Sequence, residues 1–137
     1  MRILGLDLGK RRVGVALSDL GGVIAQPLAQ LEPKGRRDLV AQVAHLVAEH
    51  GVQRVVVGLP LRLDGARGGE AKRAEAVAEV LRDALDAPVT LWDERFSSRR
   101  ADRSMRQAGL SPARQKERRD MVAATLILQA YLDAGSP

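Results

Sequence analysis

The stretch Arg54-Val55-Val56-Val57-Gly58-Leu59 has no polar position between its first residue and its last. A strand with one wet face alternates apolar and polar residues, so an unbroken β-branched run marks a strand covered on both faces. The rest of the chain must therefore place packed layers on both sides of a sheet that holds this strand in its interior. Three short apolar runs precede it, at residues 2–8, 13–19 and 23–31, joined by Gly9-Lys10-Arg11-Arg12 and Gly21-Gly22. Short glycine-containing links between apolar runs predict antiparallel hairpins. Glu32-Pro33-Lys34-Gly35 then breaks the chain. Arg36–His50 carries Leu39, Val43, Leu46 and Val47 on one helical stripe, with Gly51 as its stop. After the central strand, a helix is predicted over 70–85, on the spacing of Ala74, Val77, Ala78, Leu81 and Leu85, and a short fifth strand over 88–92. A helix near 98–109, a polar mobile loop over 110–119 containing Pro112, and a last helix over 119–133 complete the chain. The order βββαβαβα predicts an α/β fold: a five-stranded mixed sheet, its first three strands antiparallel, flanked by helices. At 137 residues this is the size of one domain.

The first strand poses a chemical problem. Asp7 stands inside the apolar run Ile3-Leu4-Gly5-Leu6-Asp7-Leu8. A carboxylate in a low-dielectric interior is costly unless it is paired, hydrogen-bonded or bound to a metal. By side-chain parity Asp7 shares a face with Ile3, Gly5 and Gly9, where the glycines admit a ligand or a neighbouring backbone. Two further acids stand where they could join it. The fifth strand ends in Asp93-Glu94-Arg95, whose adjacent acids point to opposite faces, so one of the two can reach Asp7. Asp120 opens the last helix on the stripe of Ala124, Ile127 and Tyr131, with Ala123 and Ala124 allowing close approach to the sheet. Each acid alone has an ordinary explanation: a turn, a surface ion pair with Arg95, or a favourable charge at a helix N-terminus. Together they suit hard divalent cations, and two such ions can activate water against a phosphodiester. His45 and His50 have no partner at ligand spacing and are assigned no function.

The charge distribution points the same way. The chain carries a formal +5, but residues 95–119 hold eight Arg and one Lys against Asp102 and Glu117, a net of +7, leaving −2 for the remainder. A concentrated basic segment is the footprint of a polyanion binder. Only Trp92, Phe96 and Tyr131 are aromatic, which argues against single-strand binding by base stacking. There is no cysteine, so disulfides, thiolate zinc sites and cysteine nucleophiles are excluded. No apolar run is long enough to span a membrane, and Met1-Arg2-Ile3 leads directly into a strand. A cytoplasmic protein with no membrane partner is expected.

Four stretches, ILGLDLGKRRVGVALSD, VVVGLPLRLDG, DERFSS and RRDMVAATLILQAYLD, resemble the YqgF/RuvX family of Holliday-junction-resolvase-like proteins, also described as nucleases that mature pre-16S rRNA. They cover nearly the whole chain, in the family's order and spacing. The resemblance implies an RNase H-like fold, which agrees with the element order, and a nuclease that uses Mg²⁺ or Mn²⁺, with two ions. Carried over by residue, it implies a catalytic and metal-binding set of Asp7, Glu94 and Asp120, with Asp93 second to Glu94. Lys10 and Arg12 match the family's basic turn, and Arg95 the Arg of its DER motif. With Arg11, Arg62, Arg99, Arg100 and Lys116, they are the candidate nucleic-acid contacts. Arg62 and Ala66 replace an Asn and a Thr of the family pattern, a change that bears on loop contacts rather than on the acids. The implied partners are an rRNA precursor or branched DNA, ribosomal particles, and a second copy of the chain if two strands are cut symmetrically. The rival reading is a non-catalytic RNA-binding ribosome-assembly factor on the same fold. An actin-like or sugar-kinase ATPase, suggested by DLGKRRVG, would need a second domain to close over its nucleotide.

Overall fold

The computed structural model describes residues 1–62, 64–96 and 112–135, without the side chains of residues 96 and 112–121. Its strands are β1 (Ile3–Leu8), β2 (Val13–Ser18), β3 (Ala25–Leu31), β4 (Arg54–Leu59) and β5 (Val89–Asp93). Its helices are α1 (Arg36–His50), α2 (Gly69–Ala84) and α3 (Pro112–Asp133), and a 3₁₀ turn, Glu94–Phe96, follows β5. The strands form one mixed sheet in the order β3-β2-β1-β4-β5. β1–β2 and β2–β3 pair antiparallel; β1–β4 and β4–β5 pair parallel. The predicted architecture is therefore the observed one.

β4 has the double covering its composition demands. Val55 and Val57 join Leu4, Leu6, Leu39, Val43, Val77 and Leu81 in a core under α1 and α2. Val56 faces the other way, into a second core with Ile3, Ala124, Ile127, Leu128 and Tyr131. β1 divides by the same parity, and so places the face carrying Asp7 under α3. The contact there is close because Gly5 has no side chain: a Cβ on it would lie 2.8 Å from the Leu128 Cβ and 3.4 Å from the Ala124 carbonyl oxygen. At the far end of α3, the buried Tyr131 accepts a hydrogen bond on its hydroxyl from Arg54 Nη1 (2.7 Å) and meets Trp92 edge to face at 5.5 Å.

Two boundaries differ from the sequence expectation by more than one residue. β3 starts at Ala25 rather than 23, because Asp19 Oδ1 accepts the amides of Val23 (2.7 Å) and Ile24 (3.0 Å) and holds them in a turn. The last helix starts at Pro112, so the loop expected up to residue 119 is helical from that point. Proline suits the first helical turn, where its missing N–H costs nothing, and Ala, Arg, Gln, Lys and Glu that follow are strong helix formers. The helix expected near 98–109 lies outside the described residues. Among the described residues, no helix is long and apolar enough to cross a membrane.

Candidate acidic site at the ends of β1 and β5

Asp7 is the penultimate residue of β1, opposite Gly14 of β2, and half-buried. Glu94 leaves the end of β5 in the 3₁₀ turn and hydrogen-bonds Asp7. Its carboxyl fills the space where β4 has Gly58: a Cβ there would lie 2.7 Å from Glu94 Oε1. Gly58 thus makes room for the acid, as Gly5 makes room for the helix. Burial is the main cause that pushes the Glu94 carboxyl up to about 9; the Asp7 hydrogen bond and the charges of Asp7, Glu70 and Asp93 add to it. Without a cation, the pair therefore shares a proton at neutral pH.

The two acids of the DER motif have different partners. Asp93 is held by Arg95, whose Nε and Nη2 reach Oδ2 at 2.8 and 2.6 Å and whose amide reaches Oδ1 at 2.9 Å. The Arg95 hydrogen bond keeps the Asp93 carboxyl below its usual range, against the opposing effect of burial. Of the pair left open by the sequence, Glu94 is thus the one brought against Asp7. Arg95 also turns Nη1 toward the 64–66 loop: a Cβ on Gly65 would lie 3.4 Å from it.

Asp120 lies on α3, one turn before Ala124, and its side chain is outside the described residues. Among the described residues, no group of three or more His, Asp or Glu side chains is disposed to hold a metal ion. The structure therefore brings two of the three expected acids together. It also adds Glu70, in the first turn of α2, whose charge acts on Glu94. The sequence offered only Gly68-Gly69-Glu70 as a signal, and a first-turn Glu is the ordinary residue at a helix N-terminus.

The expected basic contacts scatter more widely. Lys10 and Arg11 are exposed at the β1–β2 turn, closed by the Gly9 amide on the Arg12 carbonyl (2.8 Å). Arg12 pairs with Glu32 at 3.1 Å. Arg62 lies along Gly68, its Nε 3.4 Å from where a Cβ would stand. Arg99 and Arg100 fall outside the described residues, and Lys116 is on α3 with its side chain outside them. Sequence reading missed Arg73 of α2, which donates from Nη1 to the Gly9 carbonyl (2.7 Å) and ties α2 to the turn after Asp7.

Comparison with known proteins gives a consistent picture. The family model described as "RuvX: Holliday junction resolvase" matches residues 1–134. A Chloroflexus aggregans protein named "Putative pre-16S rRNA nuclease" is 48% identical over 132 residues, covering 96% of this chain and 93% of its own. A Syntrophomonas wolfei protein of the same name is 46% identical over 136 residues, covering 99% and 96%. Among solved structures, T. thermophilus RuvC in complex with Holliday junction substrate superposes with a TM-score of 0.61 at 16% identity, over 99% of this chain and 96% of that one. The fowlpox virus resolvase complex with Holliday junction DNA gives 0.62 at 10% identity over the full length of both. At such identities these two structures speak to the fold alone, a RuvC-like one.

Proposed function

The chain belongs to the RuvX Holliday junction resolvase family, and on that premise we propose that it is a divalent-metal-dependent nuclease acting on structured nucleic acid, with the 5′ region of pre-16S rRNA as its substrate. The observation that carries the metal site is the Asp7–Glu94 contact. Two carboxyls within hydrogen-bond reach hold together only with a shared proton or a cation between them. Their oxygens are the donors that Mg²⁺ and Mn²⁺ prefer. Asp120 fits as the third acid by register. Ile3 packs in one cluster with Tyr131, and Gly5 abuts Leu128 and Ala124, so α3 runs antiparallel to β1. Two more strand residues advance about 6.6 Å, and one more helical turn about 5.4 Å. Asp120 then stands within about one helical turn of the level of Asp7.

In this reading Asp7, Glu94 and Asp120 would together hold the ions, with Asp7 the acid common to both. Divalent ions bound here supply an activated water and neutralise charge on the scissile phosphate. The protein's own part is preparatory. Glu94 would have to release its proton to act as a ligand, Gly58 gives its carboxyl room beside Asp7, and the Asp93–Arg95 fork fixes the turn that carries it. Lys10, Arg11 and the basic segment hold the flanking phosphates.

The test is cleavage of a labelled pre-16S rRNA fragment, single-stranded RNA and a four-way DNA junction, with Mn²⁺ and with EDTA, beside Asp7→Asn. Cleavage of the rRNA fragment with Mn²⁺, lost in the folded Asp7→Asn protein, is the expected result. Equal cleavage by the variant rejects the acidic site. Tight, salt-sensitive RNA binding with no cleavage in any divalent ion identifies an assembly factor instead, and preference for the junction reassigns the substrate.

A further inference from the structure

A cavity of about 430 Å³ lies on the α1–α2 side of the sheet, beside the β1–β2 turn. Lys10 and Arg11 of the turn, Arg36 of α1 and Arg73 of α2 line it, and Leu39 and Val77 form its apolar floor. Four cations from three separate parts of the chain thus converge on one concavity. Arg73 is anchored by its hydrogen bond to the Gly9 carbonyl, two residues beyond Asp7. Among the described residues, neither Lys10, Arg11 nor Arg36 is ion-paired. Of the nearby carboxylates, Glu32 pairs with Arg12, and Asp38, in the first turn of α1, accepts the Lys34 amide (2.8 Å) and Gln42 Nε2 (3.0 Å), one negative charge against the four cations. α1 begins at the same cavity. Its N-cap is Gly35, which has no side chain to bond the first amides, so the positive end of a 15-residue helix adds to the field.

We propose that this cavity binds a nucleotide unit through a terminal phosphate monoester. The volume falls in the range of small-ligand sites, roughly 300–1,000 Å³. A monoester carries about −1.5 to −2 at neutral pH, a better match for four cations than the single charge of a backbone diester. The cavity is larger than an inorganic phosphate alone would fill, which leaves room for the attached sugar or base. The ligand is either the end of a nucleic-acid chain or a free mononucleotide. The assignment rests on the nuclease reading only where it names a chain end as ligand; the anion site itself does not.

The experiment measures binding in EDTA, so that loss of cleavage cannot be mistaken for loss of the site. A fluorescent pentanucleotide RNA is titrated with a 5′-phosphate, a 3′-phosphate or hydroxyls at both ends, against the wild type and Arg36→Glu. Glu is favoured in a first helical turn, so the variant keeps α1 intact. One phosphorylated form should bind about tenfold more tightly than the hydroxyl form, the worth of one charge-assisted contact. Arg36→Glu should erase that difference at an unchanged melting temperature. Adenosine monophosphate competing as well as the phosphorylated pentamer identifies a free nucleotide as ligand; stronger competition by the pentamer identifies a chain end. Equal affinity for all three oligonucleotides overturns the proposal, as does an equal loss of all three in Arg36→Glu.

Discussion

Glu94 holds a proton at neutral pH when no cation is present, because its carboxyl is buried beside Asp7 and against Gly58. Its carboxyl ionises near 4.5 in the unfolded chain and near 9 in the folded one, so the unfolded state releases its proton first. The stabilising contribution is complete below 4.5 and is lost as pH rises toward 9. The melting temperature of the EDTA-treated protein should therefore fall across that window. Glu94→Gln, which cannot ionise, should flatten the slope, and an unchanged slope in the variant would assign it to another group. Gly58→Ala tests the same pocket from the other side. The nearest atoms the methyl group meets are those of the Glu94 side chain, from Cγ to Oε1, and none is backbone, so the fold should tolerate it by moving that side chain, while cleavage falls by about 100-fold, as for other displacements of an ångström or so. Asp7 was legible in the sequence because an acid inside an apolar strand is anomalous. Glu70 was not, because an exposed first-turn Glu needs no special explanation. The choice between Asp93 and Glu94 needed the turn after β5, which strand parity does not describe.

At the scale of elements, the site depends on α3 lying directly on β1. Gly5→Val should cost about 1–3 kcal/mol, the usual cost of overpacking, because the new side chain meets Leu128 Cβ and the α3 backbone rather than a mobile tip. Thermal denaturation of Gly5→Val beside Gly58→Ala separates the two glycines: the first should melt lower, the second should not. Loss of stability in both alike would mean that Gly58 serves packing rather than the acid. β4 and α1 were legible to the residue, since a continuous Val run and an apolar stripe ended by Gly51 leave little freedom; Gly51 is left-handed, with φ 62°. The start of α3 was obscured because polar residues after a proline look like a loop, whereas helix formation follows from backbone preference and not from polarity.

Across the whole molecule, the surplus of positive charge is concentrated in residues 95–119 while the acids gather at the strand ends. Nucleic-acid affinity should fall linearly with salt on logarithmic axes, and Lys10→Ala should lower that slope by about 0.7–0.9, the release of one phosphate's counterion. An unaltered slope would remove Lys10 from the interface. The sheet topology was legible because short glycine links force hairpins and the later strands alternate with helices. The choice of RNA over DNA was not, because contacts to phosphate carry no information about base or sugar. The most direct test of the acidic site is a Mn²⁺ titration, followed calorimetrically, of the wild type, Asp7→Asn and Asp120→Asn. The wild type should bind roughly two ions, Asp120→Asn should lose one, and Asp7→Asn should lose both. An Asp120→Asn protein that binds Mn²⁺ as the wild type does would contradict a shared three-acid site.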